Sequence, residues 1–137
     1  MANLSLSAVA VGIYTALNVA GLTALTGQRI YDELPRNVTY PCVLYSVSKT
    51  EARGMGTSEL PAINIRVSVL SKSETGAQAQ AIVAKVEDLL KDVVLTVSGY
   101  TMPALIWRES VELGETEING EKVNEWVSQF DGWLRAA

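Results

Sequence analysis

The sequence predicts an α+β fold in which two helices cover one face of a mixed, largely antiparallel sheet, in the order α-β-β-α-β-β. Two segments carry apolar residues at helical spacing, two others alternate apolar and polar residues, and an Asn-Gly pair near the C terminus joins two further alternating segments. The chain has 137 residues, of which 48% are apolar, and can bury a core without crosslinks. We therefore expect one domain over residues 1–137.

The two predicted helices lie at the N terminus and in the middle of the chain. The first spans about Ser5 to Leu25, and Gly27 lies where a helix stop is expected. Its apolar residues recur at steps of three and four: Leu6, Val9, Ile13, Leu17 and Ala20. The second helix begins within residues 73–76, where Thr75 and Gln78 have the spacing of a capping box. Its apolar stripe consists of Ala79, Ile82, Val83, Val86, Leu89 and Leu90.

Two predicted strands precede the second helix. Cys42 to Lys49 and Ala62 to Leu70 both alternate apolar with polar residues, as half-buried strands do. The stretch between them, Thr50 to Pro61, is too long for a tight turn and contains glycines, which predicts a loop. After the second helix, Val93 to Met102 can add a short edge strand.

The last two strands form a hairpin whose register follows from its turn. Asn119 and Gly120 favour a two-residue type I′ turn, which places Ile118 opposite Glu121. Counting outward without interruption predicts the pairs Glu117–Lys122, Leu113–Trp126, Val111–Ser128, Arg108–Asp131, Trp107–Gly132 and Leu105–Leu134. Trp107 and Trp126 then share one buried face, on which Glu109 is a misfit opposite Phe130.

Residue types exclude several function classes. The chain has no histidine and one cysteine, Cys42, so that disulfides, the usual metal ligand sets and the usual catalytic dyads are missing. An enzyme that used Cys42 as nucleophile would lack a histidine to activate it. Gly54-Met55-Gly56 lacks the Lys-Ser/Thr and the following helix of a nucleotide-binding loop. We therefore expect neither catalysis nor a cofactor.

Charge is concentrated in the C-terminal hairpin. The net charge of −4 argues against non-specific binding of nucleic acid through a basic surface. Residues 109–131 hold seven acidic side chains and one basic one, a local balance of −6: Glu109, Glu112, Glu115, Glu117, Glu121, Glu125 and Asp131 against Lys122. This surface either keeps a solvated hairpin soluble, or it repels DNA or docks a basic partner.

Residues 1–28 carry no charge, which is the usual property of a membrane span. Polar side chains interrupt this stretch, however, and neither a preceding Lys or Arg nor a convincing cleavage site accompanies it. A buried amphipathic helix therefore explains the segment better, and no contact with a membrane is expected.

Several segments in a fixed order resemble those of a known family. They are a first helix that ends in Leu22-Thr23-Ala24-Leu25, then Arg29-Ile30-Tyr31, Pro35, Pro41-Cys42-Val43-Leu44-Tyr45, the strand Ile63 to Leu70, the helix Ala77 to Leu90, and a closing acidic strand pair. Over nearly its whole length the chain resembles the small tail-terminator, or tail-completion, proteins of long-tailed bacteriophages. Its strongest element is Arg29-Ile30-Tyr31 followed by the proline-bounded strand.

The resemblance implies a structural role. Members of this family assemble as a ring, generally a homo-hexamer, on the finished tail tube, end its polymerisation and present the surface for head joining. The implied partners are further copies of the chain, the tail tube protein and a head–tail connector protein, and DNA would pass through without specific binding. The implied location is the head-proximal end of the tail in the virion, and the host cytoplasm during assembly.

Other interpretations of the sequence are open. The chain could instead be another ring component of the head-to-tail connector, or a tail tube protein. A small ligand-binding or regulatory α+β dimer is a third class, which a deep apolar pocket would distinguish.

Three candidate surfaces follow from the residues. We expect the predicted loop to contact a neighbouring subunit or the tube, through Glu51, Arg53, Met55 and Glu59. Arg29 and Tyr31 could anchor another subunit contact, although a Tyr beside a helix end commonly belongs to the core. The acidic hairpin could line or rim a central hole, through Glu112, Glu115, Glu117 and Glu121.

Overall fold

The computed structural model describes residues 6–26, 29–33, 36–37, 39–53, 60–72, 77–97, 99–118, 120–133 and 135–136. In these residues the helices are α1 (Leu6–Leu17), α2 (Ala20–Thr26) and α3 (Ala77–Leu90). The strands are β1 (Ile30–Tyr31), β2 (Cys42–Arg53), β3 (Leu60–Ser71), β4 (Tyr100–Thr101), β5 (Ile106–Ile118), β6 (Glu121–Trp133) and β7 (Arg135–Ala136).

The main sheet has the order β1-β2-β3-β6-β5, and the helices lie on one of its faces. β1 is parallel to β2, and the remaining neighbours are antiparallel. The core forms where the alternating residues of β2 and β3 meet α1 and α3, and its fully buried members include Ile13, Ile65, Ile82 and Phe130. The predicted α+β fold with helices on one face of a mixed, largely antiparallel sheet is confirmed.

The predicted first helix is two helices, because the chain breaks at Asn18 and Val19. Val9, Ile13 and Leu17 are fully buried, as their spacing predicts. Leu22 follows Leu17 by five residues and would lie well off that face in one straight helix. The break redirects α2, so that Leu22 is also fully buried. The expected stop at Gly27 lies outside the described residues, and α2 ends at Thr26.

β2 and β3 are longer than the alternation predicts. The expected loop from Thr50 to Pro61 is wrong at both ends, since β2 continues to Arg53 and β3 begins at Leu60, with Arg53 paired to Leu60. An irregularity between Thr50 and Arg53 interrupts the pairing there. The capping-box residue Thr75 lies outside the described residues, and the helix that it was expected to start begins at Ala77.

The closing hairpin has the predicted two-residue connection and a different register. Ile118 pairs with Glu121 and Glu117 with Lys122, as a two-residue turn requires, and Gly120 has a φ of +80°. The pairing then shifts by one residue between Glu112 and Gly114, and again between Trp107 and Glu109. The observed pairs therefore differ from the uninterrupted count: Glu112–Trp126, Val111–Val127, Ser110–Ser128, Glu109–Gln129, Trp107–Phe130 and Ile106–Asp131.

These two shifts are β-bulges, and they explain the misfit in the predicted register. An extra residue moves every following side chain to the other face of the strand. Glu109 therefore lies opposite Gln129 and is exposed, whereas Leu113, expected in the core, is 50% exposed at the first bulge. The second bulge restores the original face, so Trp107 and Trp126 both pack against the main core.

The segment after α3 forms the predicted short strand in an unexpected place. β4 pairs with β7, and these two strands form a separate small sheet. Before β5, the amide of Leu105 donates to the carbonyl of Val93 at 2.8 Å, and the amide of Asp92 donates to the carbonyl of Leu105 at 3.0 Å. The end of α3 is thereby tied to the start of the acidic hairpin.

Candidate assembly surfaces

The connection between β2 and β3, which holds most of the predicted loop and is called the arm below, joins strand ends that lie at one end of the sheet. The tip of the acidic β5–β6 hairpin lies at the opposite end. β3 pairs with β6 from Ala62–Trp133 at one end to Ser71–Asn124 at the other, about 30 Å apart at the usual rise per residue. The β2–β3 hairpin extends past the first of these pairs, and the β5–β6 hairpin extends past the last. The sheet therefore separates the two candidate surfaces.

The four predicted acidic residues divide between the two faces of the hairpin. Cross-strand partners share a face, so Glu112, Glu115 and Glu117 lie on the helix side, with Trp126, Asn124 and Lys122 respectively. Glu121 pairs with Ile118 on the other face and forms an ion pair with Lys72 at 3.2 Å. Among the described residues, the ion pairs that include the hairpin are this one and Arg108–Asp131, and three glutamates on the helix side belong to neither.

A second small core supports the hairpin tip from the face without helices. Cys42, Leu70 and Val123 are buried there, and Tyr31, Tyr40 and Ile118 pack against them. Lys72 lies 5.8 Å from the ring centroid of Tyr40 and links this cluster to Glu121. The tip is thus held against β1 and β2.

Arg29 and Tyr31 lie at the end of the sheet that carries the acidic tip. The Arg29 Nε donates to the carbonyl of Pro41 at 2.9 Å, and Tyr31 is half-buried against the small core. Burial raises the pKa of the neighbouring Cys42 thiol to about 11, and the Arg29 guanidinium opposes this shift. Both residues have contacts within the subunit, which accounts for their positions without a partner.

A half-buried polar network joins α3 to the hairpin and was not predicted from the sequence. Ser110 donates its hydroxyl proton to Glu87 Oε2 at 2.8 Å, and Trp107 Nε1 donates to Ser110 Oγ at 3.0 Å. Since Ser110 has one proton to give, Ser128, fully buried at 2.7 Å from it, donates to it. The sequence signal is a pair of serines at apolar-face positions, but it appears only once the bulges are placed.

The arm residues are described in part. Glu51 and Arg53 lie on β2 rather than in the predicted loop, while Met55 and Glu59 lie outside the described residues. The structure shows that β2 and β3, the two strands on either side of the arm, belong to the main sheet.

The outer surface of the first two helices is uncharged and partly apolar. Its exposed large apolar side chains are Val11, Tyr14, Val19 and Leu25, which lie among the exposed polar residues Ser7, Thr15 and Asn18. A groove runs between α1 and residues 93–96. Within the described residues, no helix combines the length and the apolar character needed to cross a membrane. Nor do the described Cys, Asp and Glu side chains form a group of three suited to a metal ion.

The described residues thus offer surfaces suited to contacts with other chains: two hairpins at opposite ends of one sheet, exposed apolar side chains on the first two helices, and an acidic tip. The comparison with family models identifies the family. The model of the family described as "Tail completion protein gp17" matches residues 11–134, and the chain belongs to this family. Its role is therefore a structural one in the assembly of a phage tail.

Solved structures show the same fold. A chain in the virion of a native gene transfer agent (GTA) particle superposes with a TM-score of 0.79 at 20% identity, over 96% of this chain and 98% of that one. A second solved chain matches with a TM-score of 0.61 at 11% identity, over 98% of this chain and 99% of the other. None of the curated proteins matches the sequence.

Proposed function

We propose that this protein caps the completed tail tube as a ring, generally a hexamer, ends tube polymerisation and provides the head-joining surface of the virion. The observation that carries the proposal is the placement of two projecting hairpins at opposite ends of one sheet in a member of the tail completion family. A cap between tube and head needs two separate docking surfaces held by a rigid body. The gene transfer agent virion, which contains a chain of the same fold, supports a place in the particle.

Each end of the sheet has a proposed partner. The arm around Glu51 and Arg53, with Met55 and Glu59 beyond them, contacts the neighbouring subunit or the tube protein. The acidic tip rims the central hole, where repeated copies concentrate negative potential and keep DNA from adhering as it passes. Within the described part of the chain, three glutamates at this end form no ion pair, which supports the second assignment because an ion pair would cancel their field.

Removing the protein tests the function directly. We expect particles made without it to carry tails of uncontrolled length, measured by electron microscopy. Tails of normal length that are detached from heads would instead indicate a different connector component. Sedimentation at several concentrations adds a second criterion, since a cap stops at closed rings whereas a tube protein continues into filaments.

Deletion of residues 54–58 tests the arm. We expect this variant to keep the unfolding curve of the parent chain and to lose ring formation or tail joining. Normal tail completion by the deleted variant would refute the role of the arm.

Charge reversal tests the tip. We expect Glu115→Lys together with Glu117→Lys to slow DNA passage, measured as the rate of DNA release into host cells. The matched control is Glu33→Lys with Asp88→Lys, which makes the same charge change at exposed positions outside the hairpin. Equal infectivity of both variants would leave solubility as the only role of the acidic surface.

A further inference from the structure

The two outer strands of the sheet have long edges without a strand partner. β1 covers β2 only at Val43 and Leu44, and beyond Leu44 the outer edge of β2 pairs with no strand of the described chain. β5 borders the opposite side of the sheet over Ile106–Ile118. Unpaired edges of this length template the addition of another strand.

The backbone groups on the β2 edge point outward. The amide of Val43 donates to the carbonyl of Arg29 at 2.9 Å. The backbone N–H of Val43 therefore points to the outer edge of β2, away from β3. Backbone direction alternates along a strand, so the amides of Val47 and Lys49 face the same way, past the end of β1. They require a partner strand or water.

Strand directions fit pairing between copies of the chain. Neighbours from β2 to β5 are antiparallel throughout, so β2 and β5 run in opposite directions within one subunit. A rotation about an axis roughly along the strands brings β5 of one copy beside β2 of the next in antiparallel orientation. Such a contact uses two different surfaces and closes into a ring, unlike a two-fold contact between identical edges.

Charge distinguishes this arrangement from self-pairing. β5 carries one base, Arg108, against four acids, which are Glu109, Glu112, Glu115 and Glu117. Two β5 strands side by side would therefore place like charges opposite one another, which destabilises a sheet. β2 carries two bases, Lys49 and Arg53, against one acid. A β5 strand beside β2 therefore avoids the like-charge repulsion between two β5 strands.

We infer that β5 of one copy adds to the free edge of β2 of the next, so that the sheets join into one continuous wall around the ring. The inference rests on the proposed ring and names its subunit contact. Bulges bend a strand and increase its twist, and both bulges of the β5–β6 pair lie on β5, where a closing wall must curve. The exposed Ile106 would gain cover from the neighbour.

Cysteine crosslinking tests the contact. One line of paired residues crosses the sheet from β2 to β5: Ser46, Arg66, Gln129 and Glu109. Its two end residues, Ser46 on β2 and Glu109 on β5, are both exposed. In a Cys42→Ala background, Ser46→Cys and Glu109→Cys are made singly and together, and assembled particles and the free oligomer are treated with a short bismaleimide. A control combines Ser46→Cys with Ala81→Cys on the exposed side of α3.

We expect covalent multimers from the Ser46→Cys, Glu109→Cys double variant, several-fold above either single variant and the helix control. Dimers from one single variant alone would show a two-fold contact and overturn the inference. So would an oligomer of unchanged mass that yields no crosslinks.

The same experiment separates this inference from the proposed function. Crosslinked ladders without an upper limit would support edge pairing and contradict capping. Closed rings without β2–β5 crosslinks would support capping and contradict edge pairing. A chain that stays monomeric and is absent from tails would contradict both.

Discussion

The two hairpins of the sheet differ in regularity although they share one core. β2 and β3 pair without interruption from Cys42–Leu70 to Thr50–Ala62, whereas β5 is interrupted twice along its pairing with β6. The regular hairpin alternates apolar and polar side chains between Tyr45 and Ser48 and between Ile63 and Val69. In the bulged hairpin, the first shift places Glu112 and Ser110 opposite Trp126 and Ser128, on the side of the helices. Alternation of apolar and polar residues in the sequence therefore assigns side chains to the correct face only within a stretch of strand that contains no bulge.

Truncation of the core that the two hairpins share should lower the free energy of unfolding most, because both hairpins contribute side chains to it. Ile65 and Phe130 are cross-strand partners and fully buried. We expect Phe130→Ala to lower the free energy of unfolding by about 3–5 kcal/mol and Ile65→Ala by about 2–5 kcal/mol, measured by urea denaturation. Leu113→Ala at the exposed bulge should change it by less than about 0.5 kcal/mol. A large loss at Leu113 would contradict the observed register.

The polar network should contribute the next largest effect, and only in the bulged hairpin. Ser110→Ala leaves Glu87, Trp107 and Ser128 without a shared partner, at a cost of about 1–3 kcal/mol in the free energy of unfolding. Ser46→Ala on the exposed part of β2 is the matched control and should be nearly neutral. Equal effects of the two changes would show that the network does not stabilise the docking of α3.

Alkaline pH should weaken the small core that holds the hairpin tip. The pKa of Cys42 is raised to about 11 from an ordinary 9.0, so the folded state keeps a proton that the unfolded state loses. Burial also raises the pKa of Tyr40, which packs against this small core. The stability from Cys42 is full below pH 9 and is lost as the pH rises towards 11, by up to roughly 2 kcal/mol. A Cys42→Ala variant with the same slope between these pH values would assign the loss to other groups.

Backbone strain at the first bulge should give the smallest effect. Gly114 has a φ of +88°, and no atom lies within 4 Å of a Cβ placed there, so only the backbone conformation opposes a side chain. We expect Gly114→Ala to cost about 1–2 kcal/mol and Gly114→Asn less, because Asn tolerates positive φ better. Thermal unfolding of the two variants provides the test. A neutral Ala variant would mean that the bulge relocates.

Much of the fold could be predicted because local signals agree with the packing. Strict alternation in β3 and the apolar stripe of α3 match the buried residues, and the Asn119-Gly120 turn set the first pairs of the last hairpin correctly. These features depend on neighbours in sequence. The helix break at Asn18 and the parallel strand β1 depend on distant packing, which periodicity does not contain.

The candidate surfaces could be predicted less well. The acidic run was visible in the sequence, but its division between two faces depends on the bulges. A glycine inside an alternating strand is a known sign of a bulge, and Gly114 carried that sign. The second bulge, near Arg108, has no glycine and no comparable signal. For this reason neither the network around Ser110 nor the outward position of Leu113 could be inferred.

The paired bulges also constrain how β5 can change in length. Leu113 and Arg108 are the two extra residues. Because there are two of them, odd-numbered and even-numbered residues face the same sides at both ends of β5, as they would in an uninterrupted strand. Loss of Leu113 or Arg108 alone would remove one bulge and leave the remaining residues of β5 opposite their present partners on β6. Loss of both would shorten the strand and preserve its facing. Single deletions in β5 should therefore be tolerated best at the two bulges.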